Sequence, residues 1–135
     1  SDFILMFQKE LGDKIISKYP SKNYGRLAII TSLKLLVSSK FLVSPNSFFP
    51  KPKVTSMVIH LKILRGSKFN IKKTSNLEKI TNIMFSQKRK MINKSIRNIL
   101  SDKKLKKIKE LNLNLRPEQV KPETYFKITE LYEEN

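Results

Sequence analysis

Cysteine is absent from these 135 residues, and the single histidine is His60. That excludes disulfides, zinc ribbons and cysteine nucleophiles, and no metal site is expected. A serine–histidine–aspartate site would have to use His60. This residue sits inside an alternating strand pattern and reads as a polar strand residue instead. The lack of cysteine fits a reducing compartment, so a cytoplasmic location is expected. Glycine is scarce too. Gly12, Gly25 and Gly66 stand far apart, so no G-x-G phosphate loop can be assembled. No apolar run approaches the roughly 18–20 residues that a membrane span needs. The most apolar stretch, 27–37, is cut short by Arg26, Lys34 and Lys40. No signal peptide is read, and no initiator Met opens the chain, which reads as a strand already under way.

Acidic residues are the scarcest resource. Only 11 stand against 28 Lys and Arg, giving a net charge of +17 and a pI near 10.2. Such a charge opposes compaction by self-repulsion unless it meets an anion, and nucleic acid is the expected partner. A membrane-surface role for residues 103–109 is not expected, because Leu105, Ile108 and Leu111 make too small an apolar face. Basic residues dominate from 51 to 109, and most acidic ones lie from 110 onward. Lys88, Arg89, Lys90, Lys94 and Arg97 crowd one expected helix and its start. Almost no acidic residue interleaves with them, so the i,i+4 ion pairs of a purely structural face are missing. Phosphate contact is the functional reading. The structural alternatives are a solvated helix face, or Arg89 and Lys90 stems covering core.

The run Ser47-Phe48-Phe49-Pro50-Lys51-Pro52-Lys53-Val54-Thr55-Ser56 concentrates the most chemistry. Two prolines one residue apart stiffen the backbone and push their neighbours toward extended conformations. An aromatic on such a loop is a rigid platform, and Lys51 and Lys53 set positive charge beside it. That combination suits stacking on an unpaired nucleobase by Phe48 or Phe49. On composition alone, the same pair reads as core packing at a strand entrance.

Around this loop the chain divides in two. The apolar run 3–7 predicts a strand buried on both faces in a parallel or mixed sheet. Residues 8–18 suit a short helix with Leu11, Ile15 and Ile16 on one face, weakened by Gly12. Residues 26–36 suit a second helix, with Leu27, Ile29, Ile30 and Leu33 apolar. Residues 35–43 and 54–64 suit strands, the latter with Val54, Met57, Val58 and Leu61 as apolar positions. The expected fold class is α/β: the closing half of a sheet, ending in an antiparallel pair, followed by a small all-α domain. Beyond a polar linker the period changes to helical. Ser75 with Glu78 reads as a capping box. Stripes at Leu77/Ile80/Ile83/Met84, Ile92/Ile96/Ile99/Leu100, Leu105/Ile108/Leu111 and Tyr125/Ile128/Leu131/Tyr132 suggest four short helices, the last opened by Pro122. The boundary is expected near Ser67, giving residues 1–66 and 67–135.

Five motifs occur in order: Met6-Phe7-Gln8-Lys9-Glu10, Ser21-Lys22-Asn23-Tyr24-Gly25-Arg26-Leu27, Phe48-x-Pro50-x-Pro52-x-Val54-x-Ser56, Phe85-Ser86-Gln87-Lys88-Arg89-Lys90 and Arg116-Pro117-Glu118. Together they resemble the carboxy-terminal half of the small-subunit ribosomal RNA adenine dimethyltransferases, over essentially the whole chain. The resemblance implies a Rossmann-like methyltransferase sheet followed by a helical domain. It implies methyl transfer from S-adenosylmethionine to N6 of two adjacent adenines in a small-subunit rRNA hairpin loop. It implies that Phe48 is the residue that stacks on the flipped adenine. A monomer acting on a 30S precursor is expected.

One departure is large. The family's glycine-rich cofactor loop, its acidic ribose-binding residue and its Asn-x-Pro-Tyr-type motif are not in this sequence. Catalytic and cofactor-binding residues are therefore expected to be absent from this chain, with S-adenosylmethionine held by an amino-terminal part, and the fragment inactive alone. Its sheet should carry an unpaired edge at residues 3–7, prone to aggregation or incomplete folding. The competing reading is a non-catalytic basic RNA-binding or ribosome-assembly module.

Overall fold

Alternating side chains build the smaller of two cores. In the computed structural model, which describes residues 2–109 and 111–134, β1 (Asp2–Gln8), β2 (Leu35–Val43) and β3 (Ser56–Ile63) form one sheet in the order β1-β3-β2. The central β3 is antiparallel to both neighbours. It turns Met57, Ile59 and Leu61 to a buried face, while Val58, His60 and Lys62 take the opposite one. His60 lies 3.0 Å from Asp2 on β1, as a polar strand residue. α1 (Lys9–Ile16) covers the buried face, with Ile15 and Ile16 packed on it. Gly12 permits this close approach, because a Cβ there would stand 2.6 Å from Met57 Sδ.

Several strand and helix expectations need correcting. Residues 3–7 do form a strand, but it is antiparallel and not buried on both faces. Phe3, Ile4, Leu5 and Met6 are 44–71% exposed. The reason is position: among the described residues, β1 pairs with β3 alone. Leu11 and Leu27, expected on apolar faces, are exposed. Val54 is exposed and lies outside β3, which begins only at Ser56, past the two prolines that cannot donate to a ladder. α2 (Arg26–Lys34) is shorter than expected and passes without a loop into β2. Lys34 O accepts from Leu64 N at 2.8 Å, which ties that junction to the chain leaving β3.

The larger core is helical. Ala28, Ile29 and Leu33 of α2 join Leu77, Ile80 and Met84 of α3 (Thr74–Phe85), and Tyr125, Ile128 and Leu131 of α6 (Pro122–Glu133). Each fully buried aliphatic side chain contributes roughly 1.5–3 kcal/mol. This core crosses the boundary expected near Ser67. α4 (Asn93–Arg97) and α5 (Asp102–Leu105) are single turns, shorter than the apolar stripes suggest. Such short pieces nucleate poorly alone, and here packing of Ile92, Ile96 and Leu105 holds them. Two buried tyrosines fasten the 116–120 segment. Tyr125 OH donates to Pro117 O at 2.6 Å, and Tyr24 OH to Val120 O at 2.7 Å. Burial pushes both phenols up, so each stays a protonated donor.

The expected capping box does not form. Ser75 is already inside α3, whose cap residue Lys73 offers no side-chain bond. Glu133, at the end of α6, does the work from across the core. Its carboxylate accepts from Lys72 N at 2.8 Å, Lys73 N at 3.0 Å and Asn76 Nδ2 at 2.7 Å. Desolvation opposes the charged form, but these donors together outweigh it and hold the carboxyl below its ordinary range. Glu133→Ala should cost about 0.5–2 kcal/mol, the usual loss for a cap. Because the folded pKa is depressed, this stabilisation is present above the ordinary carboxylate pKa and is lost as pH falls through the folded value. Thermal melts of the two proteins should differ at neutral pH and converge in acid. Coincident melts at neutral pH would show that the cap contributes nothing.

Candidate nucleic-acid interface

Core packing decides which charges face outward. Phe85 ends α3 half-buried against Tyr125, ring centroids 5.7 Å apart. The chain then turns, with Ser86 Oγ donating to Ile83 O at 2.7 Å and Lys90 N to Gln87 O at 2.9 Å. With Phe85 held inside, Lys88, Arg89 and Lys90 are all exposed. Ile92 and Ile96 are buried, which forces Lys94 and Arg97 to the outer side of α4. Arg89, Lys90, Lys94 and Arg97 line one open groove of about 630 Å³ together with Met91 and Asn93. Exposure of Arg89 and Lys90 disfavours the alternative in which their stems cover core.

Arg97 needs a correction. Its guanidinium pairs with Asp102 and donates from Nε to Asn93 Oδ1 at 2.7 Å. It is therefore partly neutralised and oriented. The pair is exposed on both sides, so it adds little stability. Among the described residues, Lys88, Arg89, Lys90 and Lys94 carry no ion pair.

The proline loop belongs to the other core. A 3-10 turn at Pro45–Ser47 starts it, capped by Ser44 Oγ, which accepts from Asn46 N at 3.2 Å. Phe48 N then donates to Pro45 O at 3.2 Å. The loop's far end is held where Lys9 N donates to Thr55 O at 2.9 Å. The start of the loop is thus closed on itself, and its end is held to the junction of β1 and α1. Between them Phe48 is half-buried, Phe49 is 101% exposed, and Lys51 and Lys53 face solvent. These four residues do not line the groove of the basic turn. The structure therefore sets two displays apart: an aromatic loop beside the sheet and a cationic turn on the helical core.

The three glycines lie apart in the fold. Gly12 packs against Met57, a Cβ on Gly25 would stand 3.9 Å from Phe85, and Gly66 sits at φ +76 with open space around it. Among the described residues, no group of three or more His, Asp or Glu is placed to hold a metal. Among the described residues, no helix is long and apolar enough to cross a membrane.

Lys14, Lys22 and Arg26 join Lys88 along a further groove. Reading by sequence did not join them to Lys88, because they form no charge run and lie more than sixty residues before it.

Comparison with known proteins bears out the resemblance. The ribosomal RNA adenine dimethylase family model matches residues 1–134. The chain is 42% identical over 132 residues to the ribosomal RNA small subunit methyltransferase A of Pelagibacter ubique, covering 97% of this chain and 50% of that protein. It is 38% identical over 127 residues to the protein of that name from Buchnera aphidicola, covering 94% and 46%. The chain thus spans about half the length of the curated relatives it matches. Its fold is similar to a dimethyladenosine transferase from Plasmodium falciparum, with a TM-score of 0.73 at 23% identity over 94% of this chain and 55% of that one. It is also similar to the 23S rRNA methyltransferase ErmE, with a TM-score of 0.63 at 17% identity over 98% and 55%.

Proposed function

Since the chain belongs to the ribosomal RNA adenine dimethylase family, we propose that it is the carboxy-terminal portion of an S-adenosylmethionine-dependent 16S rRNA adenine N6,N6-dimethyltransferase. The observation that carries this is 42% identity across 97% of the chain to a small-subunit methyltransferase. On this reading β1-β3-β2 is the closing half of a Rossmann-like sheet. The exposed apolar β1, free along one edge among the described residues, is where another strand would add. Residues 1–66 complete that methyltransferase domain, and residues 67–135 are a helical domain packed on it through α2.

S-adenosylmethionine supplies the methyl group, and the residues described here offer it no cradle. The family's amino-terminal part would hold it. This chain's share of the work is RNA recognition. Phe48 stacks on the extruded adenine, offsetting part of the few kcal/mol that unstacking costs. Phe49, fully exposed beside it, widens the aromatic platform, and Lys51 and Lys53 hold the flanking phosphates. Lys88, Arg89, Lys90 and Lys94, with Arg97 at their edge, grip phosphates of the small-subunit RNA and orient the helical domain. The partner is the 30S precursor, met in the cytoplasm by a monomer.

Three outcomes test this reading. The full-length protein, given S-adenosylmethionine and small-subunit RNA, should yield N6,N6-dimethyladenine, and the 135-residue chain alone should show no cofactor binding by calorimetry. RNA binding without turnover by the full-length protein would instead identify a non-catalytic assembly module.

Phe48→Ala in the full-length enzyme should lower kcat far more than RNA affinity. Stacking on one base is worth roughly 1–3 kcal/mol, whereas phosphate contacts dominate affinity. A fall in melting temperature with kcat intact would return Phe48 to core packing.

Lys88→Ala, Arg89→Ala and Lys90→Ala together should weaken RNA binding and flatten its dependence on log salt by about 0.7–0.9 per lost contact. Cofactor affinity should be unchanged. A salt slope equal to the parent's would remove this turn from the RNA surface.

A further inference from the structure

The strongest unassigned feature is the groove of about 350 Å³ between the α1–α2 loop and the end of α3. Lys14, Lys22, Arg26 and Lys88 line it, with Leu27 and Phe85 as apolar wall. No carboxylate lines it. Among the described residues, none of the four cations forms an ion pair. Four positive charges around one concavity repel one another, and that arrangement is favourable only with an anion between them.

The groove is also preformed. Ser17 Oγ lies 2.9 Å from Lys14 O and 3.1 Å from Asn23 O, which closes the loop on itself. Tyr24 is buried beneath the loop, and its hydroxyl is bonded to Val120 O. Arg26 donates from Nε to Thr81 Oγ1 at 3.1 Å and from one terminal nitrogen to Glu78 O at 2.9 Å. Those two bonds hold its guanidinium in place before any ligand arrives. A rigid cation loses less freedom on binding than a mobile one. The α1–α2 loop and the basic turn are distant in sequence, and Lys88, next to Arg89 in that turn, lines this groove while Arg89 and Lys90 line the other.

We propose that this groove binds the sugar–phosphate backbone of RNA, as a second contact continuous through Lys88 with the basic turn. The proposal rests on the RNA-binding reading above and extends it to residues outside the cationic run. RNA fits better than a lone small anion, because the charges are spread along a groove and an aromatic edge is set among them.

The test measures binding of a small-subunit rRNA hairpin to the full-length protein by fluorescence anisotropy across a salt series. Lys14→Gln with Lys22→Gln removes two exposed charges that make no structural bond. Lys103→Gln with Lys106→Gln removes two exposed charges from the α5 region as a control. The groove variant should flatten the slope of log affinity against log salt by about 1.4–1.8, two contacts' worth. The control slope should match the parent, and both variants should keep its melting temperature. If the groove variant keeps the parental slope while the 88–90 triple variant flattens it, the groove is not an RNA site. If groove and control variants flatten the slope equally, the effect is general charge and the proposal falls. If the parent itself shows no salt-dependent RNA binding, the functional reading fails first and takes this proposal with it.

Discussion

The architecture depends on the burial of α2. Ile29 is fully enclosed, and Ala28 and Leu33 stand beside it in the core made by α3 and α6. The same helix runs into β2 with no intervening residue. Helix and strand directions are therefore coupled by backbone geometry, and the Lys34–Leu64 hydrogen bond fastens the junction to the end of the neighbouring central strand β3. Arg26 bonds α2 to α3, and Tyr24, just before it, bonds to the chain ahead of α6. One nine-residue helix thus fixes the helical core against the sheet. The aromatic loop hangs from one and the cationic turn from the other, with α2 as the element that joins them.

The scarcity of acidic residues acquires a structural meaning. Glu133 caps α3 from across the core, and Glu130 accepts from Asn70 N at 2.9 Å. Asp13 pairs with Lys9, Asp102 with Arg97, and Asp2 with His60. Carboxylates that hold backbone ends or local pairs are not available to neutralise the remaining lysines. The C-terminal concentration of acid is partly what anchors the entrance to α3. The uncompensated charge stays outside, where an anionic partner can reach it.

Much of this was legible in the chain. Pro122 opens α6 as its position predicts, and the strand at 35–43 matches its element. The antiparallel β2–β3 pair and the stiff loop between them also followed from local rules. Failures came where the deciding partner is remote. The capping box at Ser75 and Glu78 lost to Glu133, a residue more than fifty positions away, which no local window contains. The run 3–7 has the composition of a doubly buried strand, but composition does not say whether anything covers it. Gly12 looked like a weak point in α1, yet it is the residue that lets α1 touch Met57. Lys14, Lys22 and Arg26 form no charge run, and only the fold assembles them with Lys88. Arg97 looked unpaired at i,i+4, and its partner is Asp102 at i+5, beyond the end of α4.

On the proposed reading, placing stacking and phosphate contact on different cores has an energetic consequence. Phosphate contacts are additive, weak and independent of sequence, so they set residence on the RNA. On that reading a single aromatic fixes where one base can lie, and transfer to an exocyclic amine is mostly a matter of such placement. Were both displays on one flexible element, tightening the grip would also move the aromatic. Here the loop is closed at its start by the local Ser44 cap and held at its end by the Lys9–Thr55 bond, while the cations sit on the turn after α3 and on α4, at the helical core. On that reading grip and placement belong to different cores, and the element that joins those cores is α2, buried in one and continuous with β2 of the other.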